Sequence, residues 1–419
     1  MSKLPFFLAA RFFRADGENK AKASRPAVRV STISVAVSLA VMIITVGVVR
    51  GFQREIRATL SGFASHITLL NPLSFYNPEA APIVIDEGVE RDVRACLPPG
   101  SRFARFSTKS GILKTDDAYA AITLKGIGAD YDTAFLKSRL AEGRLPAVGT
   151  ERGKREILLS RLTADQLKLK RGDRIAAYFF ERTVKMRRFD IVGIYDTHMP
   201  QFDRFFAVTD IAAVNTLNSW QGDQCGGIEI MLPDDGGIDA AQIALAGRFN
   251  GRTDRNGGAY LSQSLRENPR TASVSAWLEL LDMNVLVILA LMTVVAVVTM
   301  MCSLLILILE RTRDIGLLKT LGARGGTVRS VFLWLSALIL SRGMLWGNAV
   351  GLGILALQHF FGIVRLDPSV YYVDRAPVAF DVPLFLLINA GTLLVTLLAL
   401  VLPSFIVGII KPAKTMRYE

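Results

Sequence analysis

Side chains able to do chemistry are few in this sequence, and they are scattered. The three histidines, His66, His198 and His359, stand far apart. No H-E-x-x-H helix, G-x-S-x-G elbow or cysteine–histidine cluster accompanies them, so neighbours in the chain assemble neither a metal centre nor a nucleophile–base pair. Each histidine reads as a surface or packing residue. Cys96 and Cys225 fall in one long polar stretch where an oxidising side would permit a disulfide, and their spacing does not decide whether they meet. Cys302 lies in an apolar run, as a small packing residue. Gly322 to Thr327 (GARGGT) has the glycines of a phosphate loop but lacks its lysine and its strand–loop–helix setting. The polypeptide is therefore not expected to hydrolyse ATP alone or to hold a cofactor.

The elements that must position these residues are mostly apolar. Of 419 residues 51% are hydrophobic and 21% charged, so the apolar content has to be concentrated. Twenty uncharged residues run from Val30 to Val49, twenty-seven lie between Asp282 and Glu310, and twenty-nine between Asp381 and Lys411. Each is long enough to cross a bilayer as a helix. A fourth region, from Ser330 to about Phe361, is interrupted only by Arg342. The first run is too long for a signal-peptide core and no A-x-A-like site follows it, so it is expected to stay as an anchor. No lipobox is expected either, because Cys96 is the first cysteine.

Charge sets the orientation. The lead-in carries Lys3, Arg11, Arg14, Lys20, Lys22, Arg25 and Arg29 against Asp16 and Glu18, which places it in the cytoplasm. Four spans then return residues 310–329 and the tail from Lys411 to the same side, and both are basic: Arg311, Arg313, Lys319, Arg324 and Arg329 in one, Lys411, Lys414 and Arg417 in the other. Basic cytoplasmic edges facing anionic membrane lipids account for most of the net charge of +12, so no nucleic-acid partner is called for. The expected order is a cytoplasmic or interfacial segment 1–27 with Leu4, Leu8 and Phe12 four apart, span 28–50, outer domain 51–276, span 280–309, cytoplasmic segment 310–326, span 327–361, outer loop 362–381, span 382–410 and cytoplasmic tail 411–419.

The outer block has mixed patterns, as an α+β domain of one or two lobes would. Ala120, Ile122 and Leu124 alternate toward Gly126, a Gly172-Asp173 turn interrupts Leu167 to Phe180, and Phe189 to Tyr195 reads as a strand. Leu162 to Leu167, Asp210 to Leu217 and Ile238 to Phe249 read as short helices.

The third span holds two unusual features. Gly343, Gly347 and Gly351 recur every fourth residue and strip one face for close packing, inside the bundle or against a partner subunit. Arg342 beside them would cost about 2.5–3.5 kcal/mol at the bilayer centre on insertion scales and calls for a partner. Asn348 and Asn389 are candidates within the membrane, and Asp367 or Asp374 if the side chain reaches outward.

The stretch from Glu310 to Ala323 (ERTRDIGLLKTLGA) resembles the segment that follows the second of four spans in FtsX-like permeases of ABC transporters. The first span ends in Gly51-Phe52-Gln53-Arg54-Glu55-Ile56, similar to the lipoprotein-releasing LolC/LolE type, as are His66-Ile67, Lys125 to Ile127, Leu167 to Asp173, Phe189 to Tyr195 and the ending Pro412 to Glu419. The resemblance implies a four-helix membrane protein with a large MacB-like domain after the first helix, in an inner membrane with both termini cytoplasmic. It implies a separate ATPase subunit that binds ATP and Mg, a second permease, a lipoprotein cargo and a periplasmic carrier. It further implies that residues 310–323 dock on the ATPase: a short helix stopped by Gly322 presents Ile315, Leu318 and Leu321 on one side, with Glu310, Arg311, Arg313 and Lys319 adding charge contacts. Acyl chains would sit between the first and second spans, near Met283, Met292, Met300 and Met301. A MacB-like efflux permease and an FtsX-like regulator of a cell-wall hydrolase share the docking segment and are the alternatives. Arg342 departs from the apolar pattern of these permeases.

Overall fold

The computed structural model describes residues 5–9, 11, 24–75, 81–180, 183–268 and 271–405. Most of the expected lead-in 1–27, the tail 411–419 and the end of the fourth span lie outside the described residues. The chain divides into two units: one of residues 1–54, 279–365 and 375–419, the other of residues 55–278 and 366–374.

Among the described residues four helices are long and apolar enough to cross a membrane, and the greater part of each lies in the first unit. They are α1 (Ser24–Ala64), α2 (Ala272–Glu310), α4 (Gly325–Phe361) and α5 (Val382–Ser404), with the short α3 (Thr312–Thr320) after α2. Helix α1 continues well past the expected end at residue 50. Gly51 to Ala64 holds no proline, and Ile56, Leu60 and Phe63 form a buried stripe at helical spacing, so the helix has reason to continue until Ser65 turns left-handed at φ 57°. Two apolar clusters hold the unit. One joins Leu39, Met42, Ile43 and Val46 of α1 to Leu355, Phe385 and Ile388. The other joins Leu304, Leu307 and Ile308 of α2 to Ile315, Val328, Val331, Phe332 and Leu335, with Ala9 from the helical residues 5–9. Burial within the chain is unequal: 50% of the apolar window of α4 is covered, against 11% for α2.

The second unit is α+β. Its strands are β1 (Ile67–Leu70), β2 (Ile83–Val84), β3 (Arg102–Lys114), β4 (Tyr119–Ile127), β5 (Leu140–Gly143), β6 (Glu156–Ser160), β7 (Arg174–Phe180), β8 (Val184–Tyr195), β9 (Phe206–Asp210), β10 (Gln224–Cys225), β11 (Gly227–Met231) and β12 (Leu261–Ser264). Ten of them form one sheet in the order β12-β1-β11-β3-β4-β9-β6-β8-β5, with β7 bridging β3 and β8. The pairs β4–β9 and β6–β8 are parallel and the rest antiparallel. Two large apolar cores stand out among the described residues. Ile67, Leu69, Ile228 and Ile230 pack with the helices Glu87–Cys96 and Ile238–Phe249. Leu124, Ile157, Leu159, Ile175, Phe179 and Phe189 pack with Leu167, Val214 and Leu217 from the helices Arg161–Leu167 and Ile211–Asn218. At the β12 edge, the outward amides of Ser262 and Ser264 donate to Asn250 Oδ1 (2.8 Å) and Glu267 Oε2 (2.9 Å).

Cys96 and Cys225 are free thiols rather than a disulfide. Cys225 is buried in the first core, where desolvation pushes its thiol up to about 12. Cys302, expected to pack inside, is exposed on α2.

Candidate functional site

Around α3 the chain is built stiffly. Thr312 donates its hydroxyl to the carbonyls of Ile308 (3.1 Å) and Leu309 (2.6 Å), and Arg311 pairs with Asp314 at 3.2 Å. The helix stops at Gly322, whose φ of 88° suits a residue without a Cβ. The amide of Ala323 donates to Leu318 (3.0 Å) and that of Gly322 to Lys319 (3.1 Å), which is a Schellman ending.

The side chains of α3 differ from the expected face. Ile315 is fully buried and Leu318 packs beside it against Leu304, Leu307, Ile308 and Val328, so both support the chain's own core. The outward apolar pair is Leu317 and Leu321, 63% and 77% exposed and one turn apart. Glu310 is also exposed, Arg311 and Lys319 are half-buried, and Arg313 lies within the helix. Helix α3 carries two apolar stripes, and the expected face mixes them: Leu321 belongs with Leu317 to the outer one, Ile315 and Leu318 to the inner. The inner one could have been found: Leu304, Ile308, Ile315 and Leu318 continue one face of α2 at steps of four, seven and three.

The glycine face of α4 lies on α1. A Cβ at Gly343 would stand 2.9 Å from Val35 Cβ and 3.0 Å from the Thr32 carbonyl, one at Gly347 2.8 Å from the Ala36 carbonyl, and one at Gly351 3.2 Å from Ala40 Cα. From the other side, a Cβ at Gly47 would meet Leu355 at 2.6 Å. These two helices therefore touch backbone to backbone over several turns.

Asn348 and Asn389 serve each other rather than Arg342. Asn348 Nδ2 donates to Asn389 Oδ1 at 2.7 Å and Asn389 Nδ2 to Asn348 Oδ1 at 3.0 Å, while each also donates to the carbonyl four residues earlier. Arg342 is exposed on the flank of the glycine face. Asp374 sits 3.1 Å from His198 Nε2, and His198 Nδ1 is 2.9 Å from Asp196.

In the second unit the last turn of α1 is gripped by a buried cation that the sequence did not reveal. Lys125 Nζ donates to the Phe63 carbonyl (2.5 Å) and Tyr131 Oη (3.0 Å), pairs with Glu229 at 2.8 Å and lies over the Phe63 ring. An ammonium group at a helix C-terminus complements its dipole. Phe63 also stacks on Phe202 at 4.6 Å and meets Phe206 edge-on at 5.2 Å. Burial and the neighbouring Glu229 keep the Tyr131 phenol well above its ordinary range. Among the described residues no three His, Cys, Asp or Glu side chains converge as metal ligands.

Residues 30–266 match the MacB-like periplasmic core domain, and residues 286–412 match the FtsX-like permease C-terminal family. The lipoprotein-releasing system transmembrane protein LolC of Xylella fastidiosa is 26% identical over 408 residues, covering 93% of each chain. LolE of Haemophilus influenzae is 21% identical over 452 residues, covering 98% of this chain and 99% of its own. The periplasmic region of MacB from Actinobacillus actinomycetemcomitans covers 51% of this chain and 92% of its own at 13% identity, with a TM-score of 0.32.

Proposed function

The chain belongs to the FtsX-like permeases with a MacB-like periplasmic core domain, and from that premise we propose that it releases lipoproteins from an inner membrane toward a periplasmic carrier, as the membrane subunit of an ABC transporter. Similarity to LolC and LolE along nearly the whole chain is the observation that carries this cargo. A separate ATPase chain binds and hydrolyses ATP with Mg, and a second permease completes the pair. All four long helices span the bilayer, with both termini in the cytoplasm.

In this reading the ATPase grips Leu317 and Leu321, and the Schellman ending together with the Thr312 and Arg311 contacts passes its movement into α2 and the inner apolar cluster. Helix α4 carries α1 with it through the glycine contacts, and α1 ends in the grip of Lys125. The chain itself does no bond chemistry.

Depleting the protein and fractionating membranes tests the cargo: mature outer-membrane lipoproteins should accumulate in the inner membrane, and normal sorting would reject lipoprotein release. Docking has its own test. Leu317→Asp should abolish co-purification of the ATPase from intact membranes, whereas an undiminished yield of ATPase would rule out the Leu317 and Leu321 face. Ile315→Asp is the wrong variant for this purpose, because it places a charge in the chain's own core.

A further inference from the structure

Between α4 and α5 the backbone sets two arginines face to face. Arg365 and Arg375 are partners in an isolated antiparallel bridge. On either side of them the Leu366 amide donates to the Asp374 carbonyl (3.0 Å) and the Ala376 amide to the Val364 carbonyl (3.1 Å), so the arginines themselves form the non-hydrogen-bonded pair. In such a pair both side chains leave the same face, from Cα atoms about 4.5 Å apart. Gln358 of α4 ties the two segments together: its amide nitrogen donates to the carbonyls of Val364 (3.2 Å) and Ala376 (3.0 Å), and its oxygen accepts from the Val364 amide (2.9 Å). Arg375 lies across the left-handed Gly362, where a Cβ would stand 2.8 Å from its Cδ.

Like charges directly opposite each other destabilise a strand pair. Strands β7 and β8 do the reverse, setting Arg174 across from Asp190 at 2.7 Å. Arg365 and Arg375 are both exposed, and the neighbouring acids are engaged elsewhere: Asp374 is 3.1 Å from His198, and Asp381 accepts from the Leu384 amide. What the pair lacks is an anion. Its level follows from α1. A Cβ at Gly51 would stand 2.5 Å from the Pro377 carbonyl, and the Ala379 amide donates to Gly47, so Arg375 lies just past Arg50, where the uncharged run Val30 to Val49 ends. Asp282 of α2 is 3.9 Å from Arg50, and Asp381 caps α5, so charges on three helices mark the same boundary. Leading into the pair, Phe360, Phe361, Ile363 and Val364 are all exposed. Apolar side chains followed by cations at the end of a span suit the seam between acyl chains and headgroups.

We propose that Arg365 and Arg375 together bind the phosphate of an anionic phospholipid in the outer leaflet, its acyl chains lying against the exposed apolar residues from Phe360 to Val364. Two guanidinium groups on one face suit a phosphate, which accepts several N–H donors at once. An acidic protein would satisfy the arginines and leave the phenylalanines in water; a lipid satisfies both. The proposal rests on the orientation with both termini in the cytoplasm.

The test uses the full chain, purified in detergent, mixed with phosphatidylglycerol or with diacylglycerol, which lacks the phosphate, and read by native mass spectrometry for retained lipid. Wild type should retain phosphatidylglycerol in preference, and Arg365→Gln and Arg375→Gln should each lower that retention about fivefold. Arg188→Gln, at an exposed arginine of β8, should leave it unchanged. Undiminished retention by the two variants, an equal loss in Arg188→Gln, or equal retention of diacylglycerol by wild type overturns the site. Displacement of the lipid by inorganic phosphate at equal concentration overturns the lipid as its source. A second measurement keeps both arginines. In a Cys96→Ser, Cys302→Ser background, Val370→Cys should react with an impermeant maleimide added to spheroplasts; reaction only after the membrane is opened overturns the outer-leaflet placement. Failure of the permease reading itself shows elsewhere, as normal lipoprotein sorting.

Discussion

Where α4 meets α1, at Gly343, Gly347 and Gly351, side chains have been removed until backbone rests on backbone. Where the last turn of α1 meets the sheet, at Phe63, it is held by the ammonium group of Lys125, itself balanced by Glu229. Solvent explains the difference. In lipid, apolar surfaces gain nothing by leaving their surroundings, so shape and the neutral amide pair Asn348–Asn389 must supply the specificity. In a domain that folds in water, apolar burial supplies the energy, and a paired charge can be placed inside to fix one helix end in one position.

Removing the charge should have the largest effect. Lys125→Met leaves Glu229 buried without its cation and the Phe63 carbonyl without its donor, for an expected loss of about 3–5 kcal/mol. Thermal unfolding of the full chain, together with hydrogen exchange at Ile56 to Ala64, measures it. Lys125→Met combined with Glu229→Leu should recover part of the loss, and no recovery would mean that the charge balance is not what matters. Filling the seam comes next: Gly347→Leu should lower the yield of folded protein, at about 1–3 kcal/mol for overpacking. Gly353→Leu should be nearly silent, because nothing lies within 4 Å of a Cβ there. A smaller effect is expected of Asn348→Leu, about 1–2 kcal/mol, with Asn348→Leu combined with Asn389→Leu less harmful than either alone, as a double-mutant cycle of detergent stability would show.

Acidity probes the charged side of the contrast most gently. Arg144 donates to Glu156 at 2.8 Å and, with the Ala147 amide, holds that carboxyl down at about 2; burial pushes Asp203 up to about 6, although it accepts from Thr197 at 2.8 Å. The two have opposite signs. Glu156, whose folded value is depressed, stabilises the domain above about pH 4.5, and the gain fades as pH falls toward 2. Asp203, whose folded value is raised, adds stability only in acid, and that contribution disappears as pH rises from about 4 through 6. Hydrogen exchange in the segment Thr197 to Asp203 should therefore quicken between pH 4 and 6 beyond its intrinsic pH dependence, and Asp203→Asn should remove that excess.

The apolar runs were legible because a long uncharged segment has few other fates. Strands β4 and β8 and the helix Ile238–Phe249 were legible too, since their periodicity is local. What escaped depends on distant partners. The helical state of Gly51 to Ala64 is one such feature: its stripe of Ile56, Leu60 and Phe63 continues α1 into the unit that begins at Glu55. Lys125 shows in the sequence only as part of a strand end, because nothing near it announces Glu229 or the end of α1. Ile315 and Leu317 are both apolar residues of one short helix, and only the core that Ile315 completes tells them apart.

The side-chain ties at β12 have a consequence for crowding. An uncovered edge strand offers its amides to any neighbouring chain and invites sheet-to-sheet aggregation. Here Asn250 and Glu267 already occupy the amides of Ser262 and Ser264, and β5, at the opposite edge, is four residues long with an irregular register. Copies of this domain concentrated on one membrane face can thus collide without zippering together, which favours a dispersed population over insoluble clusters.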